Sequence, residues 1–398
     1  MGNTLVVLAL AVTAAATKPA KNPPPGPELA SVTVSNPLAV ARGNETIAIA
    51  RAEIVKVAPS FDIKAALVFD PAGKPVLSQL VDSDGDEEAD EIVWQTDLAA
   101  SQSKMFKLRA GARTPAARAD YKVYGRFARE RHDDFVWEND VVAHRMYGPD
   151  LETTPKEPLV SSGIDTWVKR ARRLLTNDWL MTGDYHHDTG EGADFYGVGK
   201  SRGCGGLGVW SGGKLMVSRN FTTSRVLAAG PIRLVFELRY APWDAGGGVK
   251  ITETKRVTLD AGSHFNRFET TFTGAKAGLS VGVGIAKHAG SAVVVDAGSA
   301  SMRVWEPLKG KQGEDGGNLG CAVVLPAGSA LEEHHGDVDY LVVTPVSPAG
   351  KLVYHVGSWW DRAGKGRDAA AWGREVQALG ARVAAPVKIE IAATSPKP

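Results

Sequence analysis

What this chain has little of narrows it first. It holds two cysteines in 398 residues, Cys204 and Cys321, too few for a disulfide framework or a zinc ribbon. Their spacing leaves two readings open, a disulfide pair and two small buried residues. Neither sign of charge is in excess: 46 Lys and Arg against 45 Asp and Glu leave +1, which gives nucleic acid or an anionic membrane no electrostatic grip. No apolar run reaches the roughly 20 residues a spanning helix needs, so no membrane insertion is expected. Several catalytic signatures are also missing. There is no G-x-S-x-G elbow, no H-E-x-x-H helix and no phosphate-binding glycine loop, which leaves serine esterases, zincin proteases and nucleotide enzymes without support.

What is present starts with an export signal. The apolar run Leu5–Val12 followed by Ala14, Ala15 and Ala16 has the form of a secretory leader with an Ala-x-Ala cleavage site, and no cysteine follows it to carry a lipid anchor. The expected organisation is a signal peptide over 1–16, a disordered proline-rich linker over 17–29, and an exported protein, periplasmic or extracellular. The 44 glycines and many short Val/Thr/Ile runs read as all-β architecture rich in turns. Residues 30–120 alternate apolar and polar in strands of four to eight, which predicts an immunoglobulin-like sandwich. Residues 121–398 carry about a dozen longer strands, more than one small sheet holds, which predicts a large sandwich of two antiparallel sheets. Two helices are expected. One is IDTWVKRARRLL, with Ile164, Trp167, Val168 and Leu174 on one face; the other is DAAAWGREVQALG, ending at Gly380.

Three segments hold residues suited to chemistry. Asp82, Asp84, Asp86 and Asp90 match the opening of a calcium loop, but Val93 stands where the bidentate acid belongs; a solvated acidic hairpin tip is the favoured reading, a structural calcium the weaker one, and no other cofactor is expected. The richest stretch is YHHDTGEGADFYGVG from Tyr185, where imidazoles, carboxylates and phenols crowd between glycines with no hydrophobic period. That pattern is a loop, and loops held by a rigid sandwich carry sites. Before it comes DDFVWENDVVAHRMYG, in which Glu138, Asn139, Arg145 and Tyr147 alternate with apolar residues as on a strand; Arg145 suits a carboxylate. Later, His288 ends an apolar strand, and Trp305 beside Glu306 suits a sugar, whose C–H face packs on a ring while its hydroxyls need acceptors.

Together with GIDTWVKR, GCGG, GPIRLVFELRY and GSWWDR, these motifs resemble the secreted bacterial family catalogued as domain of unknown function 4861, over about residues 30–390. The resemblance implies a galactose-mutarotase-like β-supersandwich of the kind found among carbohydrate enzymes and polysaccharide lyases, and a place in polysaccharide breakdown. On the matching positions His186, Asp188, Glu191, Asp194 and Tyr196 carry the block, with Glu138, Asn139, Arg145 and Tyr147 from the preceding strand; His187 and His144 fall where the family varies.

The expected partner is therefore an oligosaccharide, uronic-acid-containing, and the leading expectation is a carbon–oxygen lyase or dehydratase acting by β-elimination. Such a reaction needs a cation on the carboxylate, a base for the α-proton and an acid for the leaving oxygen. These roles go to Arg145, to His186, and to Tyr147 or Tyr196, with Glu191 or Asp188 orienting His186. Substrate contacts are assigned to Glu138, Asn139, Asp194, His288, Trp305 and Glu306. Two alternatives stay open: a glycoside hydrolase or mutarotase-type epimerase using His186 and Glu306, and a non-catalytic sugar binder with Trp137, Tyr147 and Trp305 as its platform.

Overall fold

The computed structural model describes residues 26–59, 61–155, 158–275 and 278–393; the leader expected at 1–16 and the linker up to residue 25 lie outside them. Residues 26–29, expected in the linker, belong to the first sheet, where the Gly26 N–H donates to the Ala110 carbonyl (2.7 Å) and Glu28 opens the first strand.

Alternation places Ala30, Val32 and Val34 of that strand inward, as period-2 patterning requires. Two sheets close over them. One runs Lys388–Ala393, Glu28–Ser35, Ser103–Ala110, Ala66–Phe69, Pro75–Val76, and the other Arg42–Ala50, Glu91–Leu98, Ser78–Val81. Val32, Ile47, Ile92, Trp94 and Phe106 fill the space between. The chain's last strand, expected with the second domain, instead pairs antiparallel with the first, Val34 opposite Ile389. It goes there because Val387, Ile389 and Ile391 pack onto this smaller core.

The larger body is built on an eight-stranded antiparallel sheet, in the order Thr223–Ala229, Arg233–Asp244, Lys250–Asp260, Phe265–Thr273, Lys351–Trp360, Asp315–Val324, Ser301–Lys309, Ala292–Asp296. Across an apolar core it meets a five-stranded sheet containing Cys204–Ser211, Ser280–Ala286 and Asp339–Pro345. The all-β class, a small sandwich followed by a larger antiparallel one with few helices, is thus the architecture observed. A third sheet positions the site: Gly192–Ala193, Asp165–Lys169, Ala143–Met146, Asp134–Asn139, Val123–Ala128.

Two helix expectations need correcting. The segment from Ile164 is a strand, Asp165–Lys169, with all five residues buried. Both faces are covered, and its polar residues find partners on other strands: Asp165 with Arg145, Thr166 with Ser358 and Lys169 with Glu138. The helix comes later, at Thr176–Thr182. The C-terminal helix, Ala369–Ala384, is capped by the Asp368 carboxylate and runs through Gly380. A Cβ at Gly380 would lie 2.7 Å from the Ser299 carbonyl oxygen, so this glycine serves close packing of the helix on the turn before the Ser301–Lys309 strand rather than a helix stop.

Candidate functional site

Arg145 and Asp165 face each other across paired strands. The Arg145 guanidinium donates from Nε (2.9 Å) and Nη2 (2.5 Å) to Asp165 Oδ2, and from Nη2 to Asp194 Oδ2 (3.3 Å). Asp134 Oδ2 stands 3.8 Å from Nε. The Tyr147 and Trp167 ring centroids lie 5.2 and 5.4 Å from the guanidinium carbon. One cation thus serves three buried carboxylates, and burial acts on the titration of Asp134 and Asp194. It pushes Asp134 up to about 6 and, with the Asp165 charge adding to it, Asp194 far above the usual carboxylate range. Burial likewise keeps the Tyr147 phenol protonated. Burial opposes the charge on Arg145, but Asp165 and Asp194 outweigh it. Arg145 Nη1, Asp134 Oδ2 and Asp165 Oδ1 are buried without a hydrogen-bond partner. Arg145 Nε and Nη2 are taken up by Asp165 and Asp194, so its charge is spent inside the protein and it is not an open clamp for a ligand carboxylate.

The glycine-broken loop lies against this cluster. It is closed by the Asp194 N–H donating to the Tyr185 carbonyl (2.6 Å). At Gly192, with φ of 130°, a Cβ would sit 2.1 Å from the Val168 carbonyl oxygen, so only glycine fits. His186, half-exposed, stands at the mouth. Its Nδ1 is 3.3 Å from the Asp194 carbonyl and 3.6 Å from Asp194 Oδ2, an arrangement that puts the proton on Nδ1 and leaves Nε2 as the acceptor. Its ring lies 4.5 Å from that of Tyr185, which stacks on Trp167 at 5.1 Å and accepts a hydrogen bond from Arg131 Nε (2.6 Å). Burial holds His186 below its usual pKa against the pull of the Asp194 carbonyl, and the charges of Lys311, Arg145 and Arg131 add to the depression.

The acids expected to orient His186 do something else. Asp188 takes the N–H groups of Gly190 (2.8 Å) and Gly192 (3.1 Å) and pairs with Arg170; Glu191 pairs with both ends of Arg173 (2.9 and 3.0 Å). They shape the loop, and Asp194 holds the position beside the imidazole. Glu138 is buried and spends its oxygens on Lys169 Nζ (2.5 Å) and on Leu175 N and Thr176 N at the head of the Thr176–Thr182 helix. Asn139 clamps a turn through the N–H groups of Val141 and Val142 and the carbonyls of Asp260 and Ser263. His144 is a core residue, stacked on Trp137 at 5.3 Å and bonded to Asn266, and burial pushes it down to about 3. His187 is exposed.

A second group gathers where the loop ends. His288 Nδ1 meets Glu306 and its Nε2 meets the Gly197 carbonyl (2.7 Å). Two acceptors on one ring favour a proton on each nitrogen, and the Glu306 contact raises His288 above the usual value. The Tyr196 ring meets His288 edge-on at 5.3 Å, and its buried hydroxyl has no partner. The two cysteines are free and buried; burial, then contact with Cys204, pushes the Cys321 thiol up. Trp305 does not join Glu306, because neighbours on a strand point to opposite faces; it packs beneath the C-terminal helix with Trp372 and Val376. In the acidic hairpin, carboxylate oxygens of Asp82, Asp84 and Asp86 lie within 4.8 Å of one another, but Asp82 accepts from Gly85 and Glu87, and Asp90 is turned onto Ser83.

The structure therefore unites His186, Asp194, Arg145 and Tyr147, and separates them from His288, Glu306 and Trp305. It adds Asp134, Asp165, Tyr185, Arg131 and Lys311. Asp165 escaped notice because it lay in a segment with helical periodicity; read as a strand, its register alone places it opposite Arg145.

Comparison with known proteins agrees in extent. An uncharacterized protein of Formosa agariphila is 32% identical over 375 residues, which cover 90% of this chain and 93% of the relative. Among solved structures, a glycosyl hydrolase family 38 protein from Enterococcus faecalis overlaps with a TM-score of 0.43 at 11% identity, over 93% of this chain and 48% of that one. An alpha-mannosidase from the same organism overlaps at 0.39 and 11%, over 92% and 46%. The chain spans about half the length of these two structures, and the overlap is too loose to carry chemistry across. The family model described as domain of unknown function (DUF4861) matches residues 34–389, and the chain belongs to that family.

Proposed function

We propose that the His186 cluster is the active site of a carbon–oxygen lyase that removes water or an alcohol from a uronic-acid-containing oligosaccharide. The observation that carries this reading is the half-exposed imidazole, held neutral with its Nδ1 on a backbone carbonyl, in the field of Lys311, Arg145 and Arg131. A neutral base surrounded by cations suits an anionic substrate whose α-proton must be taken. Because Arg145 is enclosed by aspartates, contact with the substrate carboxylate passes to Lys311 and Arg131. His186 Nε2 takes the α-proton, and the freed electron pair becomes the new C=C bond as the C–O bond breaks. The departing oxygen takes the proton of the Tyr185 hydroxyl, and the Arg131 hydrogen bond stabilises the phenolate left behind. His186 and Tyr185 then regain their starting states by exchange with solvent. Buried Tyr147, stacked on Arg145, remains the competing donor.

The hydrolase or epimerase reading assigned Glu306 as base. Its carboxylate is 1% exposed and bound to His288, which speaks against that role. The test is incubation of the purified protein with pectic, ulvan and glucuronan oligosaccharides. A product lighter by one water, with new ultraviolet absorbance, supports the lyase; new reducing ends without absorbance mean a hydrolase; binding without product means a binder. Full activity in His186→Ala would remove the base assignment.

A further inference from the structure

The outer face of the eight-stranded sheet carries a groove that the His186 chemistry does not use. Its volume is about 660 Å³, within the range of small-ligand sites, and it lies at a junction between bodies, where such sites concentrate. Its floor is a cross-strand row, Thr258 opposite Arg267 opposite His355. One wall is residues 43–46, the start of the Arg42–Ala50 strand of the first sandwich, and the other is the helix face of Glu375, Leu379 and Arg382. His355 Nδ1 is buried there without a partner.

The chemistry sharpens at the end marked by His264. This imidazole faces the Ser358 carbonyl through Nδ1 (3.2 Å) and accepts from Arg367 Nη2 through Nε2 (3.2 Å), which fixes a neutral tautomer. The Arg367 guanidinium carbon lies 3.9 Å from the Trp359 ring centroid, with Nη1 buried and unpartnered. Arg172, 63% exposed, lies close enough to depress both Arg367 and His264, and reaches a carboxylate only at 3.7 Å, on Asp140. Two guanidiniums therefore stand just beyond the His264 end of the groove, Arg367 in the narrow cleft that adjoins it through His264 and Arg172 on Asp140, whose carboxylate holds the Gly262 N–H of the groove rim, with no carboxylate bridging them among the described residues. Of the acids nearby, Asp260 is held by Arg233 and Glu45 by Arg42, and Glu375 acts on Arg367 through space. A planar donor fixed on an indole with a free N–H is preorganised for an oxyanion.

We propose that this groove is a second saccharide-binding site, in which Arg367 and Arg172 take the carboxylate or sulfate of an acidic sugar unit and the row through Arg267 and His355 lies along the units that follow. From the proposed reaction it borrows only the ligand class; it needs no turnover at His186. The test is titration calorimetry on the whole chain with a glucuronate tetrasaccharide, a sulfated tetrasaccharide and a neutral cello-tetraose. Binding of one or both acidic ligands, weakened by salt and absent for the neutral one, is expected. The acidic ligand that binds identifies the oxyanion. In Arg172→Ala/Arg367→Ala the dissociation constant should rise roughly tenfold or more, equivalent to about 1.4 kcal/mol. Arg172→Ala/Arg382→Ala, which leaves the Trp359 stack in place, should weaken binding in the same direction. His186→Ala should keep the salt-sensitive binding that the two double variants weaken. The site is refuted if no acidic ligand binds, if both double variants bind undiminished, or if His186→Ala abolishes all binding. If groove binding behaves as expected while no uronate substrate is ever turned over, the reaction fails and the groove stands.

Discussion

At the scale of single residues, titration separates the two histidines that the sequence offered for chemistry. His288 has both nitrogens on acceptors and is raised by the Glu306 contact, which favours its charged form. His186 is depressed, first by burial and further by neighbouring cations, and remains neutral at a pH where a free imidazole is half charged. The acid limb of the kcat/KM profile should accordingly fall below pH 6.5, the ordinary imidazole value, because the base form survives to lower pH. Lys311→Ala removes the largest of those charges, so the limb should move up in pH while KM for a uronate substrate rises. An unmoved limb would disconnect His186 from the reaction. Tyr185→Phe should lose most of kcat while Tyr147→Phe keeps it, and the reverse would transfer the proton donor to Tyr147. Asp134 gives a stability signature. Its folded-state value of about 6 stands above the ordinary 3.8, so the folded protein holds this proton more tightly than the unfolded chain. That stabilisation is complete below the ordinary value and is lost as pH rises through 6, with about 3 kcal/mol at stake for a fully buried group. Urea unfolding of the native protein should lose ground to Asp134→Asn between about pH 4 and pH 7 by up to that amount, and a pH-independent difference would refute the burial argument.

Among elements, the Thr176–Thr182 helix depends on one side chain. Glu138 accepts the leading N–H groups of the helix and also balances Lys169, all of it buried. Removing one member of a buried ion pair leaves an uncompensated charge and costs roughly 3–5 kcal/mol. Glu138→Ala should destabilise by that order in denaturant titration, and Glu138→Leu/Lys169→Met should recover most of it. The helix leads into Tyr185, so the double variant should fold yet turn over slowly; full activity would show that the helix does not position the loop. The same region marks the limits of sequence reading. Strands with one solvated face were legible because their alternation is visible, as in Glu28–Ser35. Asp165–Lys169 was not, because a strand buried on both faces has no alternation, and its charges make sense only beside Arg145 and Glu138. The loop from Tyr185 was recognisable by its glycines and polarity, but which of its acids touches His186 depended on Asp188 and Glu191 finding arginines more than fifteen residues upstream. Trp305 and Glu306, adjacent in the chain, were split by the pleat.

For the whole molecule, what decides behaviour is that the first and the last of the described strands both lie in the first sandwich. Its last strand pairs with its first, and the Arg42 side chain reaches the Ala385 carbonyl. Between the two bodies, Val81 and Val93 pack on Ala228, Ile232 and Val235, while Gln79 bonds the backbone of Ile232 and Arg233. The first sandwich therefore cannot be treated as a detachable cap. Deleting residues 26–120 would leave Ile389 and Ile391 on an unpaired strand and uncover the Ile232 patch, and exposed apolar edges associate. Light scattering should show that this deletion aggregates. Ending the shortened chain at Ala385 removes the orphan strand, and adding Ile232→Lys and Val235→Thr blunts the patch. If edge and patch are the cause, that version should stay monomeric. It should also retain the His186 reaction, because none of the residues around that imidazole comes from the first sandwich. It should lose the acidic-saccharide binding of the outer groove, because residues 43–46 of the Arg42–Ala50 strand form one of its walls. Loss of turnover in a folded, monomeric shortened protein would mean that the first sandwich contributes to catalysis directly, and retention of groove binding would mean that its wall is not part of the site.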